Sequence, residues 1–149
     1  DIHLIIEKAI SHLNLLLKER SVNVSMNLLA TNSKLQISKE NFFNVFVNIF
    51  ENAIKYSDKN SQINIETSNL KDVFIIQISD NGMGMDSNVQ EKIFEKFYRE
   101  TKGNVHNVKG HGLGLSYVRK ILDLHNGTIY VKSEVDIGST FKITLPLNG

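Results

Sequence analysis

The sequence predicts an α+β fold: a two-layer α/β sandwich, with a mixed, mostly antiparallel sheet and helices on one face. Three observations predict it. The apolar pattern switches repeatedly between the three-and-four spacing of a helix and the alternation of a strand. Four β-rich runs fall into two pairs, each joined by a short polar turn, as hairpins are. The regular strand–helix alternation of a doubly wound parallel fold is missing. The 149 residues suit a single domain, 1–149, and are enough to bury a sizeable core.

Each element has its own signal. Ile2, Ile5, Ile6, Ala9, Ile10, Leu13, Leu16 and Leu17 recur at helical spacing, which predicts a helix over 2–19. Val22, Val24, Met26 and Leu28 alternate with polar residues, which predicts a strand over 22–28. Ser38 suits a helix N-cap. The helix after it carries Phe42, Val45, Phe46, Ile49, Phe50, Ala53 and Ile54 and ends near Tyr56-Ser57. Runs 62–67 and 73–79 form a hairpin across Ser68–Asp72. Residues 81–111 are rich in Gly and polar residues, with a short helical pattern at 88–95. A further helix covers 112–125 and stops at Asn126-Gly127, and 128–134 pairs with 139–145 across Asp136–Gly138.

Composition narrows the function classes. Lys plus Arg number 17 and Asp plus Glu 16, a net charge of +1. That balance argues against a protein that coats nucleic acid or an anionic membrane. With no cysteine there is neither a disulfide nor a thiolate metal site. The longest apolar runs are interrupted at Asn44 and Asn48, too short to span a bilayer. The start, Asp1-Ile2-His3, has no basic leader and no Met, as expected of a piece of a longer protein.

Three clusters carry chemistry. In NIFENAIKYS (48–57), Asn48, Asn52 and Lys55 fall at i, i+4 and i+7 and share one helix face. Such a row reads either as a solvated face or as amide and ammonium groups turned to a polyanion and its metal. A neutral amide oxygen suits Mg²⁺, which takes few protein ligands. DNGMGM (80–85) places a carboxylate at a strand end, followed by Gly82 and Gly84, where a flat ligand can approach backbone. A plain Asn-Gly turn is the alternative. KGHGLGL (109–115) puts Gly110, Gly112 and Gly114 at a helix N-terminus, where free N–H groups favour phosphate. A flexible linker is its alternative, but Leu113, Leu115 and Val118 begin an apolar stripe at once. There is no GxxxxGK[ST] loop and no GxGxxG opening a βαβ unit.

In this order the segments resemble the ATP-binding catalytic domain of bacterial sensor histidine kinases, within the GHKL superfamily. NIFENAIKYS resembles the N box, DNGMGM and KGHGLGL the two glycine boxes, IFEKFYR (93–99) the F box, and GSTFKITLPL (138–147) the closing hairpin. The resemblance covers essentially the whole chain and implies the GHKL fold, with ATP and Mg²⁺ as cofactors. It implies that Asn52 ligates Mg²⁺, Asn48 sits beside it, Lys55 reaches the phosphates and Tyr56 packs near adenine. Asp80 would accept the adenine amino group, and Gly82 and Gly84 would let the loop pass the base. Arg99 would neutralise γ-phosphate charge. Lys109, Gly110, His111, Gly112, Leu113 and Gly114 would bind the nucleotide, with Gly110, Gly112 and Gly114 bracketing a mobile lid of about residues 97–111 over the triphosphate. Asn48, Lys55 and Arg99 are the catalytic candidates. Ile93, Phe94 and Phe97 would pack under the lid rather than touch ligand.

Hydrolysing members of the superfamily carry a Glu one helical turn before the metal Asn. Here that position is Asn48, which cannot act as a base. The site is expected to hold ATP and pass its γ-phosphate to a histidine elsewhere. None of His3, His12, His106, His111 or His125 is followed by an acidic residue, as the family's phosphoacceptor is. The resemblance therefore implies a separate dimerisation and phosphoacceptor domain, a downstream response regulator, a monomeric fragment and a homodimeric parent. It also implies a cytoplasmic location, on an inner-membrane sensor. Two alternatives stay open: a serine kinase of the anti-sigma class, and a non-catalytic nucleotide-binding module.

Overall fold

The computed structural model describes residues 1–58, 60–96, 98 and 114–148. In chain order it contains α1 (Ile2–His12), α2 (Asn14–Arg20), β1 (Asn23–Leu28), α3 (Lys39–Lys55), β2 (Gln62–Leu70) and β3 (Val73–Asp80). Then follow α4 (Ser87–Lys92), α5 (Gly114–Leu124), β4 (Thr128–Glu134) and β5 (Gly138–Pro146).

The five strands form one sheet in the order β1-β2-β3-β5-β4. Only β1 and β2 run parallel, and the other three pairs are antiparallel. The expected α+β sandwich with a mixed, mostly antiparallel sheet is therefore the fold found. Alternation along β2 and β3 turns Ile63, Ile65, Phe74, Ile76 and Ile78 to one face, all fully buried. The apolar stripes of α1, α3 and α5 close over that face as one core. Helix α3 packs against both α1 and α5. Its Phe46 and Phe50 rings stack at 5.9 Å, and Phe42 meets the His125 ring edge-on at 5.0 Å.

Several boundaries follow the sequence signals. The Ser38 side chain caps α3 by accepting from the Asn41 N–H at 3.3 Å. His125 closes α5 with a 2.8 Å bond between Nδ1 and the Ile121 carbonyl. Asn126, at φ 54°, takes the left-handed position after α5. Gly127 is needed for space instead, since a Cβ there would lie 2.7 Å from Leu145 Cδ2 and 2.8 Å from the Thr144 carbonyl oxygen.

Other boundaries differ. The helix expected over 2–19 is broken at Leu13, whose N–H is shared between the Ala9 and Ile10 carbonyls at 3.3 and 3.1 Å. Leu13 and Leu17 stay buried across the break, so the apolar spacing gives no sign of it. The turn expected over 68–72 shrinks to Lys71-Asp72 because β2 continues to Leu70. The alternation of β1 buries Val22, just before the strand, but leaves Met26 41% exposed. As an edge strand of the described sheet, β1 has a neighbour on one side only, and Val24 and Leu28 are only half-buried against the core. No described helix is long and apolar enough to cross a membrane.

Phe46 is fully buried at the centre of this packing. Phe46→Ala should lower unfolding stability by about 3–5 kcal/mol, the usual cost of emptying a buried aromatic site. Urea unfolding of the two chains checks it, and a loss below about 1 kcal/mol would mean the site collapses to fill the space.

Candidate functional site

NIFENAIKYS, DNGMGM and the described end of KGHGLGL, Gly114-Leu115, converge at one end of the sheet. Helix α3 delivers its C-terminal half there, β3 ends there at Asp80, β5 starts there at Gly138, and α5 opens there at Gly114. Asn48, Asn52, Lys55 and Tyr56 are all half-buried, on the border between the packed face of α3 and its open face. The Asn48 Nδ2 donates to the Asn44 carbonyl at 2.7 Å, which fixes the amide and leaves Oδ1 on the other side. That oxygen faces Gly114, where a Cβ would lie 2.8 Å from it. The N-box face of α3 and the last glycine of KGHGLGL thus meet in space. Among the described residues the Asn52 side-chain amide has no hydrogen-bond partner.

Asp80 is held by backbone from two directions. Its Oδ1 accepts from Gly82 N–H at 2.9 Å, and the backbone N–H of Ser139, the residue opposite it on β5, also favours its charged form. Burial pushes the carboxyl above its ordinary value, against the opposing pull of those two donors. A carboxylate has about four acceptor positions, so capacity remains for a ligand donor.

The glycines of DNGMGM have reasons of their own. A Cβ on Gly82 would lie 2.6 Å from the Tyr56 carbonyl oxygen and 3.1 Å from Ser57 Cα. Gly84, at φ 65°, would place one 1.9 Å from the Glu134 carbonyl oxygen. Both are therefore demanded by protein backbone, whatever they also allow a ligand. The Met83 N–H donates to Tyr56 O at 3.2 Å, and the Met83 carbonyl accepts from Asp136 N–H at 2.8 Å. Asn81 Oδ1 accepts from Gln62 N–H at 2.8 Å. The turn is wedged between the end of α3 and the β4–β5 hairpin.

Sequence reasoning missed four residues here. Ser133 Oγ accepts from Met85 N–H at 2.8 Å, and Gln90 Nε2 bridges the carbonyls of Met85 and Ser133 at 2.9 and 3.1 Å. Gly138, at φ 139°, and Ser139 complete the wall against Asp80. Only Gly138-Ser139 carried a signal, at the head of the closing-hairpin segment. Ile93 joins the buried core and Phe94 packs on it, as expected of packing residues, with the Arg119 guanidinium 4.3 Å above the Phe94 ring. Arg99, Lys109, Gly110, His111, Gly112 and Leu113 lie outside the described residues, as do Phe97, His106 and all of the 97–111 lid but Tyr98.

The Asp80 environment has a consequence for stability. A carboxyl whose folded value lies above its unfolded one favours the fold while protonated, and that advantage is withdrawn as pH rises through the folded value. Asp80→Asn keeps an acceptor for Gly82 N–H and has no charge to desolvate. It should melt no lower than the parent at neutral pH and show a flatter stability profile from acid to neutral. Thermal melts across that range check it, and a lower neutral-pH melting temperature would show that the charge is net stabilising.

Comparison with known proteins adds an independent line. The family described as histidine kinase-, DNA gyrase B-, and HSP90-like ATPase matches residues 38–149. Sensor protein RprX of Bacteroides fragilis is 42% identical over 126 residues, covering 83% of this chain and 24% of its own length. Signal transduction histidine-protein kinase ArlS of Staphylococcus aureus is 38% identical over 117 residues, covering 78% and 26%. The chain spans about a quarter of these relatives. Among solved structures, the catalytic domain of histidine kinase ThkA superposes with a TM-score of 0.84 at 22% identity, covering 99% of this chain and 95% of that one. The mycobacterial sensor histidine kinase MprB gives 0.83 at 20% identity, covering 98% and 95%. At that identity the two structures speak for the fold.

Proposed function

This chain belongs to the histidine kinase-, DNA gyrase B-, and HSP90-like ATPase family, and we propose that it is the catalytic domain of a sensor histidine kinase. In this reading it binds ATP and transfers the γ-phosphate to a histidine on a separate dimerisation domain of the parent protein. The observation that carries the reading is Asp80, a carboxylate at a strand end, held by Gly82 N–H in a turn that packs against Tyr56 at the end of α3. It suits the exocyclic amino group of adenine, a donor that guanine replaces with a carbonyl. Tyr56, Gly82 and Gly84 would border the base.

The phosphates fall to other groups. The first described turn of α5 at Gly114 and the Lys55 ammonium suit the triphosphate, with Lys109, Gly110, His111, Gly112, Leu113 and Arg99 as further candidates from the sequence. Mg²⁺ fits the donor set. Asn52 offers a half-buried amide without a protein partner among the described residues, and Asn48 stands one turn away with its own amide already oriented. When bound, the ion neutralises charge on the phosphate oxygens. The chain's own part is to hold the nucleotide, exclude guanine and leave the γ-phosphate without a base to activate water, because Asn48 stands where one would be needed.

The relatives are named as sensor proteins and histidine-protein kinases, which favours a histidine over a serine acceptor. ThkA has been solved in complex with the response regulator protein TrrA, and a response regulator is the proposed downstream partner here too. In this reading the isolated fragment is monomeric, the parent is a homodimer, and the domain lies on the cytoplasmic side of an inner-membrane sensor.

The transfer is tested by mixing the chain with the parent's dimerising helical hairpin and radiolabelled ATP. Label should appear slowly on the hairpin, lost in acid and kept in alkali, as a phosphorus–nitrogen bond requires. The chain alone should take up no label and hydrolyse ATP at a negligible rate. Acid-stable label would favour a serine acceptor instead. Asn52→Ala should remain folded and lose the magnesium-dependent part of ATP affinity, at least about tenfold for a lost contact to a charged group. Calorimetry with and without magnesium checks this, and an unchanged magnesium effect would refute the metal assignment.

A further inference from the structure

Asp80 is set by two separate segments, through the Gly82 N–H bond to its carboxylate and through its pairing with Ser139. Gly82 belongs to the 81–86 turn, and Ser139 belongs to the start of β5. Ser133, on β4, hydrogen-bonds to both segments. Its hydroxyl accepts from Met85 N–H at 2.8 Å, lies 2.8 Å from Ser139 Oγ and donates to the Gly138 carbonyl at 3.0 Å. The proton count closes in one way. Ser133 has a single hydrogen, which goes to Gly138 O, so the Ser139 hydroxyl donates to Ser133 Oγ. Ser133 then accepts two bonds and donates one, which saturates a hydroxyl. Gln90 doubles the link, since its Nε2 donates to the Met85 and Ser133 carbonyls together.

We propose that Ser133 and Gln90 are positioning residues for base selection: they fix the turn and the start of β5 so that the Asp80 carboxylate is aimed at the purine edge. Neither needs to touch nucleotide. The wedge explains why the effect should be specific. The Gly84 and Gly138 backbones already crowd the Glu134 and Asp80 carbonyls, so a small slip of either segment cannot be absorbed elsewhere. Removing the Ser133 hydroxyl strands the Met85 N–H and the Ser139 hydroxyl, and Ser139 is buried. The proposal rests on the reading of Asp80 as the adenine acceptor, and its test separates the two.

The experiment compares the parent chain with Ser133→Ala, Ser133→Thr and Gln90→Met. Affinities for Mg-ATP and Mg-GTP are measured by calorimetry, and the Asp80 carboxyl is titrated by carbon NMR without nucleotide. Ser133→Ala should lose about tenfold in ATP affinity, the cost of a displaced charge-assisted bond, and little in GTP affinity. The Asp80 titration should move, because the Gly82 and Ser139 backbones shift, and Ser133→Thr should restore both readouts. Gln90→Met should weaken ATP in the same selective way, and it carries the test if Ser133→Ala does not fold. Equal losses for ATP and GTP, or an unmoved Asp80 titration in folded variants, would overturn the proposal. A parent chain that binds the two nucleotides equally refutes the adenine role of Asp80 and selectivity with it. The NMR titration still decides in that case whether Ser133 positions the carboxylate.

Discussion

Everything at the candidate site depends on backbone meeting backbone at Gly82 and Gly84. The turn that follows β3 has α3 on one side and the β4–β5 hairpin on the other, with no space for a Cβ on either. Hydrogen bonds from Met83 to Tyr56 and from Asp136 to Met83 then tie the three segments together. Without that close approach the end of α3 would stand away from Asp80, and the amide row and the carboxylate would belong to different surfaces. The helix brings Asn48, Asn52 and Lys55 to the site because its opposite stripe is nailed into the core by Phe42, Phe46 and Phe50. Packing and chemistry thus share one helix, divided by face.

The parts of the fold legible in sequence were those with strong local periodicity. The seven apolar positions of α3, the Ser38 cap and the two hairpins needed only neighbours a few residues away. What escaped was set by tertiary context. The break at Leu13 keeps the helical spacing on both sides, so no period reveals it. The exposure of Met26 follows from the edge position of β1, which depends on the order of all five strands. The same division holds at the site. Asp80 was conspicuous as a carboxylate closing an apolar strand. Ser133 and Gln90 are polar residues in regular elements, and only the fold brings them against Met85.

In the proposed reading, an amide rather than a carboxylate at position 48 gives the site its character. In the hydrolysing branches of the family a carboxylate there would turn a bound water on the γ-phosphate. Here an amide, pinned to the Asn44 carbonyl and set against Gly114, occupies the place. In the proposed reading such a site would conserve its nucleotide until a nucleophile arrives from outside. That agrees with a chain that covers about a quarter of relatives named as sensor proteins and histidine-protein kinases.

The strand order also fixes when the site can come into being. β3 pairs with its hairpin partner β2 on one side and, on the other, with β5, the last described strand, where Ser79 meets Thr140 across 61 residues. Contacts so distant are closed late in folding, because loop entropy must be overcome before they form. As the chain leaves the ribosome, α1 to β3 can gather around their own core, yet Asp80 lacks its pairing with Ser139 until β5 has emerged. In the proposed reading, completion of the nucleotide site therefore waits for β5, and a chain truncated before that strand would carry the amide-bearing helix and the acidic strand end without a finished site between them.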